Sequence, residues 1–291
     1  MRIGAGRNGW TIWHLPTCLG LAVIGLLVTF DVWADIALIA FRDEESSHIF
    51  LVPIIAAWLV WIRRSRMRYC RAGSSMIGPA MIAMGWIIYS LGYYNAIQAF
   101  WHGGGVLVVV GCVVTILGRD ILLRFFPVFI VLVFLVPVPG MARQELALPL
   151  QTATAMATQF VFDFLNADVE RIGNVLSING VNVAIAEACN GMRMVFALVL
   201  VSFAFAFGTP LRMYVRVLIL VASPVSAIVC NVIRLVPTIW LYGYYPAGVA
   251  DNFHDISGWL MLPVAFMALL TIIRLLRWAL IPVSHYTLAY D

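Results

Sequence analysis

Residues 187–208 read EACNGMRMVFALVLVSFAFAFG: a short polar entry, Glu187 to Arg193, runs without a break into an uncharged stretch that ends at Gly208. A segment this apolar must satisfy its own backbone hydrogen bonds inside a bilayer, so it reads as a membrane helix whose polar lip carries Cys189. The same texture recurs along the chain. Of 291 residues, 63% are apolar and 11% charged, a balance that a soluble core of this length does not need and that puts most of the surface in lipid. With the roughly 20-residue criterion for a crossing, eight spans are expected, at residues 14–34, 48–62, 76–94, 103–117, 122–138, 190–208, 215–242 and 256–281. The expected fold class is all-α and polytopic, one membrane domain over residues 1–291 with about eight transmembrane helices. The first span lacks a small-residue cleavage site and carries Asp31 and Asp35 at its far end, so it is expected to be retained rather than removed as a signal peptide.

Arginine placement gives an orientation. All 18 basic residues are Arg. With a cytoplasmic N-terminus, the eight spans put Arg2, Arg7, the run Arg63, Arg64, Arg66, Arg68 and Arg71, then Arg119, Arg124, Arg212, Arg216, Arg274 and Arg277 inside. Acidic residues go the other way, with Asp43, Glu44, Glu45, Glu145, Asp163, Asp168, Glu170, Glu187, Asp251 and Asp255 outside. This asymmetry is the positive-inside pattern, and it predicts cytoplasmic N- and C-termini in a cytoplasmic (cell inner) membrane. Residues 139–188 then form an extracytoplasmic insertion. Its first half, Met141 to Leu165, has Leu146, Leu150, Phe160 and Phe164 at near-helical spacing and is predicted to lie along the interface as a helix. From Val169 to Ile185 the period changes to two around Asn179-Gly180, which predicts a β-hairpin just before Cys189.

The five cysteines show no CxxC pairing, and Cys18, Cys112 and Cys230 fall within spans while Cys70 falls in the basic inner loop. That leaves Cys189 as the thiol expected near the outer face, and argues against a structural disulfide or a thiolate metal site. No cofactor or metal is expected. No basic groove with interleaved aromatics is present, so nucleic acid is not an expected partner.

Helix rise sets depth. At 1.5 Å per residue, Cys189 lies roughly 28 Å from Gly208, Arg234 roughly 27 Å from Arg216, and His254 roughly 30 Å from Arg274, all at the outer hydrocarbon boundary. A thiol with a pKa near about 8.5 needs a neighbouring cation to ionise at neutral pH. Arg234 suits stabilisation of a thiolate or of an oxyanion, and His254 suits proton transfer. Together the three describe acyl transfer through a thioester. Arg193, four residues after Cys189, supplies a second positive charge or binds a substrate carboxylate, Gly191 allows close backbone approach, and Asn231 is placed to orient Arg234. Glu187 completes the polar set.

Several stretches, taken in order, resemble one family. They are Ser47-His48-Ile49-Phe50-Leu51-Val52-Pro53 followed by Trp61-Ile62-Arg63-Arg64, Leu135-Val136-Pro137-Val138-Pro139, Glu187-Ala188-Cys189-Asn190-Gly191-Met192-Arg193, Asn231-Val232-Ile233-Arg234 and His254-Asp255-Ile256-Ser257-Gly258. The pattern resembles the exosortase and archaeosortase group of membrane cysteine transpeptidases. The resemblance implies a thiol protease with Cys189 as nucleophile and Arg234 and His254 as its partners. It also implies a substrate, exported proteins that end in a recognition motif, a hydrophobic sorting-signal helix and a basic cluster, of the PEP-CTERM type in the bacterial branch. These would be cut at the outer face and passed to an acceptor, either a surface lipid or a polysaccharide-linked group. Asn190 departs from the family's usual Ser after Cys.

Two other classes compete. A small transporter or flippase would call for mid-span acidic residues and paired repeats, which the sequence lacks. A non-enzymatic subunit of a polysaccharide export system would leave Cys189, Arg234 and His254 without a chemical role. Neither a G-x-S-x-G nor an H-E-x-x-H motif occurs.

Overall fold

The apolar stretches resolve into helix in the computed structural model, which describes residues 13–71, 76–185 and 192–278. The chain divides into two units, Met1–Pro139 and Gly140–Asp291.

In the first unit, α1 (His14–Val28) and α2 (Phe30–Arg42) are followed by a 3-10 turn over Glu44–Phe50 that runs into α3 (Leu51–Ile62), and by a second 3-10 turn over Arg64–Tyr69. Next come α4 (Ile77–Tyr94), α5 (Gln98–Leu117), α6 (Asp120–Arg124) and α7 (Phe126–Val133). The span expected over 14–34 is not one helix. It breaks at Thr29, where the axis bends by 77° and the backbone leaves the helical basin at φ −110°, ψ 29°. The Thr29 hydroxyl donates to Gly25 O at 2.8 Å and accepts from Trp33 Nε1 at 3.0 Å. A threonine bonded back onto its own helix favours such a bend without any proline.

The tightest packing in this unit is between α4 and α5. Gly78, Gly85 and Gly92 are buried at seven-residue spacing along α4, and Gly104 and Gly111 face them from α5. A Cβ on Gly85 would stand 2.8 Å from Val108 N, and one on Gly111 2.8 Å from Ile82 N. In lipid, where apolar surface has nothing to flee, small residues that let two backbones approach are the main source of helix association.

The second unit opens with α8 (Gly140–Phe164), continues through three short strands, β1 (Val169–Ile172), β2 (Val175–Ile178) and β3 (Val181–Ala184), and closes with α9 (Met192–Gly208), α10 (Met213–Tyr244) and α11 (Ala247–Trp278). The sheet is antiparallel in the order β1-β2-β3. Gly173 starts the first two-residue turn at φ +64°, and Asn179-Gly180 form the second with φ +49° and +74°, both conformations whose twist matches paired strands. The expected hairpin is therefore the second of two. Its sheet lies between two helices, because Ala155 and Phe162 of α8, Val169, Leu176, Ile178 and Ile185 of the sheet segment, and Leu235 and Ile239 of α10 share one buried cluster. The helix expected over Met141 to Leu165 is α8.

Three described helical stretches are long and apolar enough to cross a bilayer, Glu45–Ile62, Gln98–Leu117 and Met213–Tyr244, and the bent pair α1 and α2 makes a fourth if counted as one span. The stretch expected over 122–138 is divided between α6 and α7 by Phe125 and Pro127, and α9 is a shorter apolar helix. The longest of these stretches, α10, carries Pro224 and Pro237 in its interior. Pro224 has no N–H for Leu220 O, and the Ser223 hydroxyl donates to that carbonyl instead at 3.0 Å.

Gly85→Ala is expected to destabilise the protein by about 1–3 kcal/mol, the usual cost of overpacking. Gly20→Ala, where an added Cβ meets nothing within 4 Å, is expected to be neutral or slightly stabilising. Thermal unfolding of the purified protein in detergent checks both.

Candidate functional site

Of the seven expected site residues, Arg193, Asn231, Arg234 and His254 belong to the described residues. Glu187, Cys189 and Gly191 lie outside them.

Arg193 sits in the first turn of α9, and Asn231 and Arg234 lie on the buried stripe of α10 together with Ala227, Cys230, Leu235 and Thr238. Asn231 is 0% exposed and Arg234 only 4%. Thr238 donates from Oγ1 to Arg234 O at 2.7 Å, the carbonyl next to Ile233 O, which Pro237 leaves without a helical N–H. Across from this stripe stands Gly258 of α11, also buried. A Cβ placed on Gly258 would lie 3.0 Å from Arg193 Nη2 and 3.3 Å from Arg234 Nη1. Both guanidinium groups therefore reach the same point on α11, and those two nitrogens are no further apart than the sum of the two lengths, 6.3 Å. Glycine is what leaves room for them.

Two guanidinium charges at this range repel by roughly 2–3 kcal/mol at an effective dielectric of about 20. Arginine cannot relieve the repulsion by losing its proton. Such a convergence is therefore a place where negative charge is welcome, and three separate helices are needed to build it.

His254 is one turn before Gly258 on α11, and Ser257 Oγ donates to its carbonyl at 3.0 Å. Its half-buried ring borders a cavity of about 320 Å³, lined on one side by β3 and Ile185 and on the other by Leu235, Thr238 and Tyr242 of α10. At the far end of that wall the Tyr242 hydroxyl donates to Asp251 of α11. Sequence reasoning singled out the cations but not the clearance at Gly258, although Gly258 stands four residues after His254 in one of the stretches that carried the resemblance. It also did not foresee the cavity, because the packing of β3 against α10 is a long-range contact that leaves no local pattern.

Among the described cysteines, Cys18, Cys70, Cys112 and Cys230 are free thiols and all are buried. Cys70 lies outside the membrane-crossing stretches. Burial pushes its thiol up from the usual range, Arg124 pulls it back and Asp120 adds to the rise.

A helical, strongly apolar chain that brings arginines of two helices to one glycine of a third, with a histidine one turn away on that third helix bordering a cavity beside a small sheet, defines a multi-pass membrane protein with a built polar site. Residues 33–271 match the family model of the transmembrane exosortases, and the chain belongs to that family. No match was found among curated proteins or among solved structures.

In the folded protein Cys18, Cys70, Cys112 and Cys230 are expected to resist maleimide until denaturant is added. Cys70, held protonated by burial, should be slower than an ordinary thiol at any pH near its usual pKa even where reagent can reach it. Mass spectrometry of labelled peptides, with and without denaturant and across pH 7–9, reads this out.

Proposed function

We propose that this chain is a membrane-embedded cysteine protease and transpeptidase that cleaves C-terminal sorting signals of exported proteins at the outer face of the membrane and passes the released carbonyl to an acceptor. Membership of the transmembrane exosortase family supports this reading, and the observation that carries it is the meeting of Arg193 and Arg234 at Gly258. Cys189 stands four residues before Arg193 and four after Ile185 in the sequence. Its attachment to both the arginine site and the cavity wall is thus short.

The chemistry runs in two halves. Cys189 gives its proton to His254, and the thiolate, favoured by the arginines, attacks the carbonyl carbon of the scissile amide. The guanidinium groups stabilise the oxyanion that forms. His254 then hands its proton to the departing amine as the C–N bond breaks, which leaves a thioester on Cys189. In the second half an acceptor nucleophile, or water, loses a proton to His254 and attacks the thioester, the C–S bond breaks, and the thiol is restored. Asn231, three residues before Arg234 and buried with it, fixes the guanidinium, and Gly191 and Glu187 complete the lip around the thiol. The family reading also carries the topology, with about eight spans, both termini in the cytoplasm, the 139–188 insertion outside, and residence in the cell inner membrane.

The test is processing of a tagged substrate that ends in a sorting-signal helix, followed in membrane vesicles. Cys189→Ala and Cys189→Ser are expected to abolish cleavage and the covalent adduct. Arg234→Lys should cost about 10²–10³-fold in rate, as for loss of one oxyanion donor, and His254→Ala about 10²–10⁴-fold. Gly258→Ala should lower the rate while leaving stability nearly unchanged, because the added methyl displaces two flexible guanidinium ends. Cleavage that survives in Cys189→Ala would overturn the proposal.

A further inference from the structure

We infer that the open edge of β3 is a docking strand: an extended segment of the substrate polypeptide adds to the sheet as a fourth strand and lies in the cavity beside His254. The inference rests on the proposed reading that the substrate is a polypeptide, and adds how it is held.

The register decides which backbone groups are available. Ile178 pairs with Val181 across the two-residue Asn179-Gly180 turn, Ser177 with Asn182, Leu176 with Val183, and Val175 with Ala184. Ile185 N donates to Asn174 O at 2.9 Å. Antiparallel pairs alternate between those that exchange both hydrogen bonds and those that exchange none. Val181, Val183 and Ile185 therefore spend their N–H and C=O groups on the β2 side. The N–H and C=O of Asn182 and Ala184 point the other way, off the edge of the sheet.

Those four groups form two donor and acceptor pairs, two residues apart, which is the repeat of an extended backbone and matches nothing in an acyl chain. Of the devices that block such pairing the edge has only its shortness, four residues. β3 carries no Lys, no Pro and no bulge, only Val181, Asn182, Val183 and Ala184. Space lies beside it: the strand forms one wall of the cavity of about 320 Å³, with Leu235, Thr238 and Tyr242 opposite and His254 on the border. That volume is at the lower end of the range for ligand pockets, about 300–1,000 Å³, and it takes a short stretch of peptide rather than a folded domain. The platform is also firm. Asn179 Nδ2 donates to Gly243 O at 3.2 Å, and Leu176 and Ile178 are fully buried against α8 and α10.

The experiment has a substrate side and an enzyme side, both using the full chain in liposomes. On the substrate side, single N-methyl groups are walked along the residues flanking the cleaved bond. A strand pairing predicts sensitivity at every second residue, each sensitive position raising KM by about tenfold for the hydrogen bond lost, with kcat changed much less. On the enzyme side, Ala184→Pro deletes an outward N–H while sparing the bonds to β2, and should raise KM likewise, whereas Asn182→Thr, which alters only a side chain, should not. Independently of turnover, Asn182 is replaced by p-azidophenylalanine in a Cys189→Ala background and irradiated with the substrate. Capture of the substrate segment supports the docking strand even if the wild-type protein fails to process it, an outcome that would sink the catalytic proposal alone. Processing with a flat N-methyl profile and no capture overturns the docking strand and leaves the catalytic reading standing. Capture of phospholipid in place of peptide also overturns the docking strand.

Discussion

A guanidinium cannot be made neutral, so an apolar helix that carries one must be packed around it. Arg234 lies within the 32-residue helix α10, about two-thirds of the way along it, and is almost wholly buried. Neither lipid nor an apolar neighbour can accept it. The second unit meets this demand by giving up a side chain on the facing helix, at Gly258, and by bringing a second cation, Arg193, to the same spot. A second positive charge at the same spot raises the electrostatic cost further and makes the place favourable to negative charge. On the proposed chemistry such a site would act by preorganisation, with its charges in position before any oxyanion develops.

The rest of the second unit serves that arrangement. The helix pair α10 and α11 runs antiparallel from the arginine level upward to Tyr242 and Asp251, and the sheet is fastened to the same upper part of α10 through Ile178 and Asn179 against Gly243. β3 descends from that fastening toward Ile185, which shares a cluster with Leu235, the residue next to Arg234. Sheet, cavity and cations thus follow one another along a single helix, α10. At Pro224 the helix is repaired by the Ser223 hydroxyl, which takes up the carbonyl the proline leaves without a donor.

What could be read in the sequence followed from patterns that are local. Asn179-Gly180 between alternating residues announced a hairpin because few residue pairs adopt two positive φ values in succession, and the near-helical spacing from Met141 to Leu165 announced α8. Arg234 stood out because a charge inside an apolar stretch is costly and calls for a partner or a function. The break at Thr29 was hidden, because a threonine hydroxyl that bends a helix looks the same in sequence as one that does not. The α4 and α5 glycines were visible as composition, but their role depends on which helix faces them. His102 was missed for a related reason. It is fully buried on α5, with Nε2 2.8 Å from Asp35 Oδ2 of α2, and only the fold reveals that two polar residues sixty-seven positions apart are paired.

Recognition through backbone groups is indifferent to side-chain identity, so a docking strand by itself would hold any extended chain and could not choose among substrates. Selectivity must then come from the walls. Those walls are mostly apolar and aromatic, with Val183 and Ile185 on one side, Leu235 and Tyr242 on the other, and Thr238 and His254 as the polar members. A chain passing between them would gain from small or apolar residues at alternate positions, and a charged residue would lose its hydration without finding an opposite charge. On the proposed chemistry, a substrate chain filling the cavity would displace water near His254, and that would let a thioester wait for an acceptor instead of being hydrolysed. Holding the chain by its backbone, choosing it by its side chains and protecting the acyl intermediate would then all depend on one cavity. A substitution there that enlarges it, such as Leu235→Ala, should loosen selectivity and shift the outcome from transfer toward hydrolysis together.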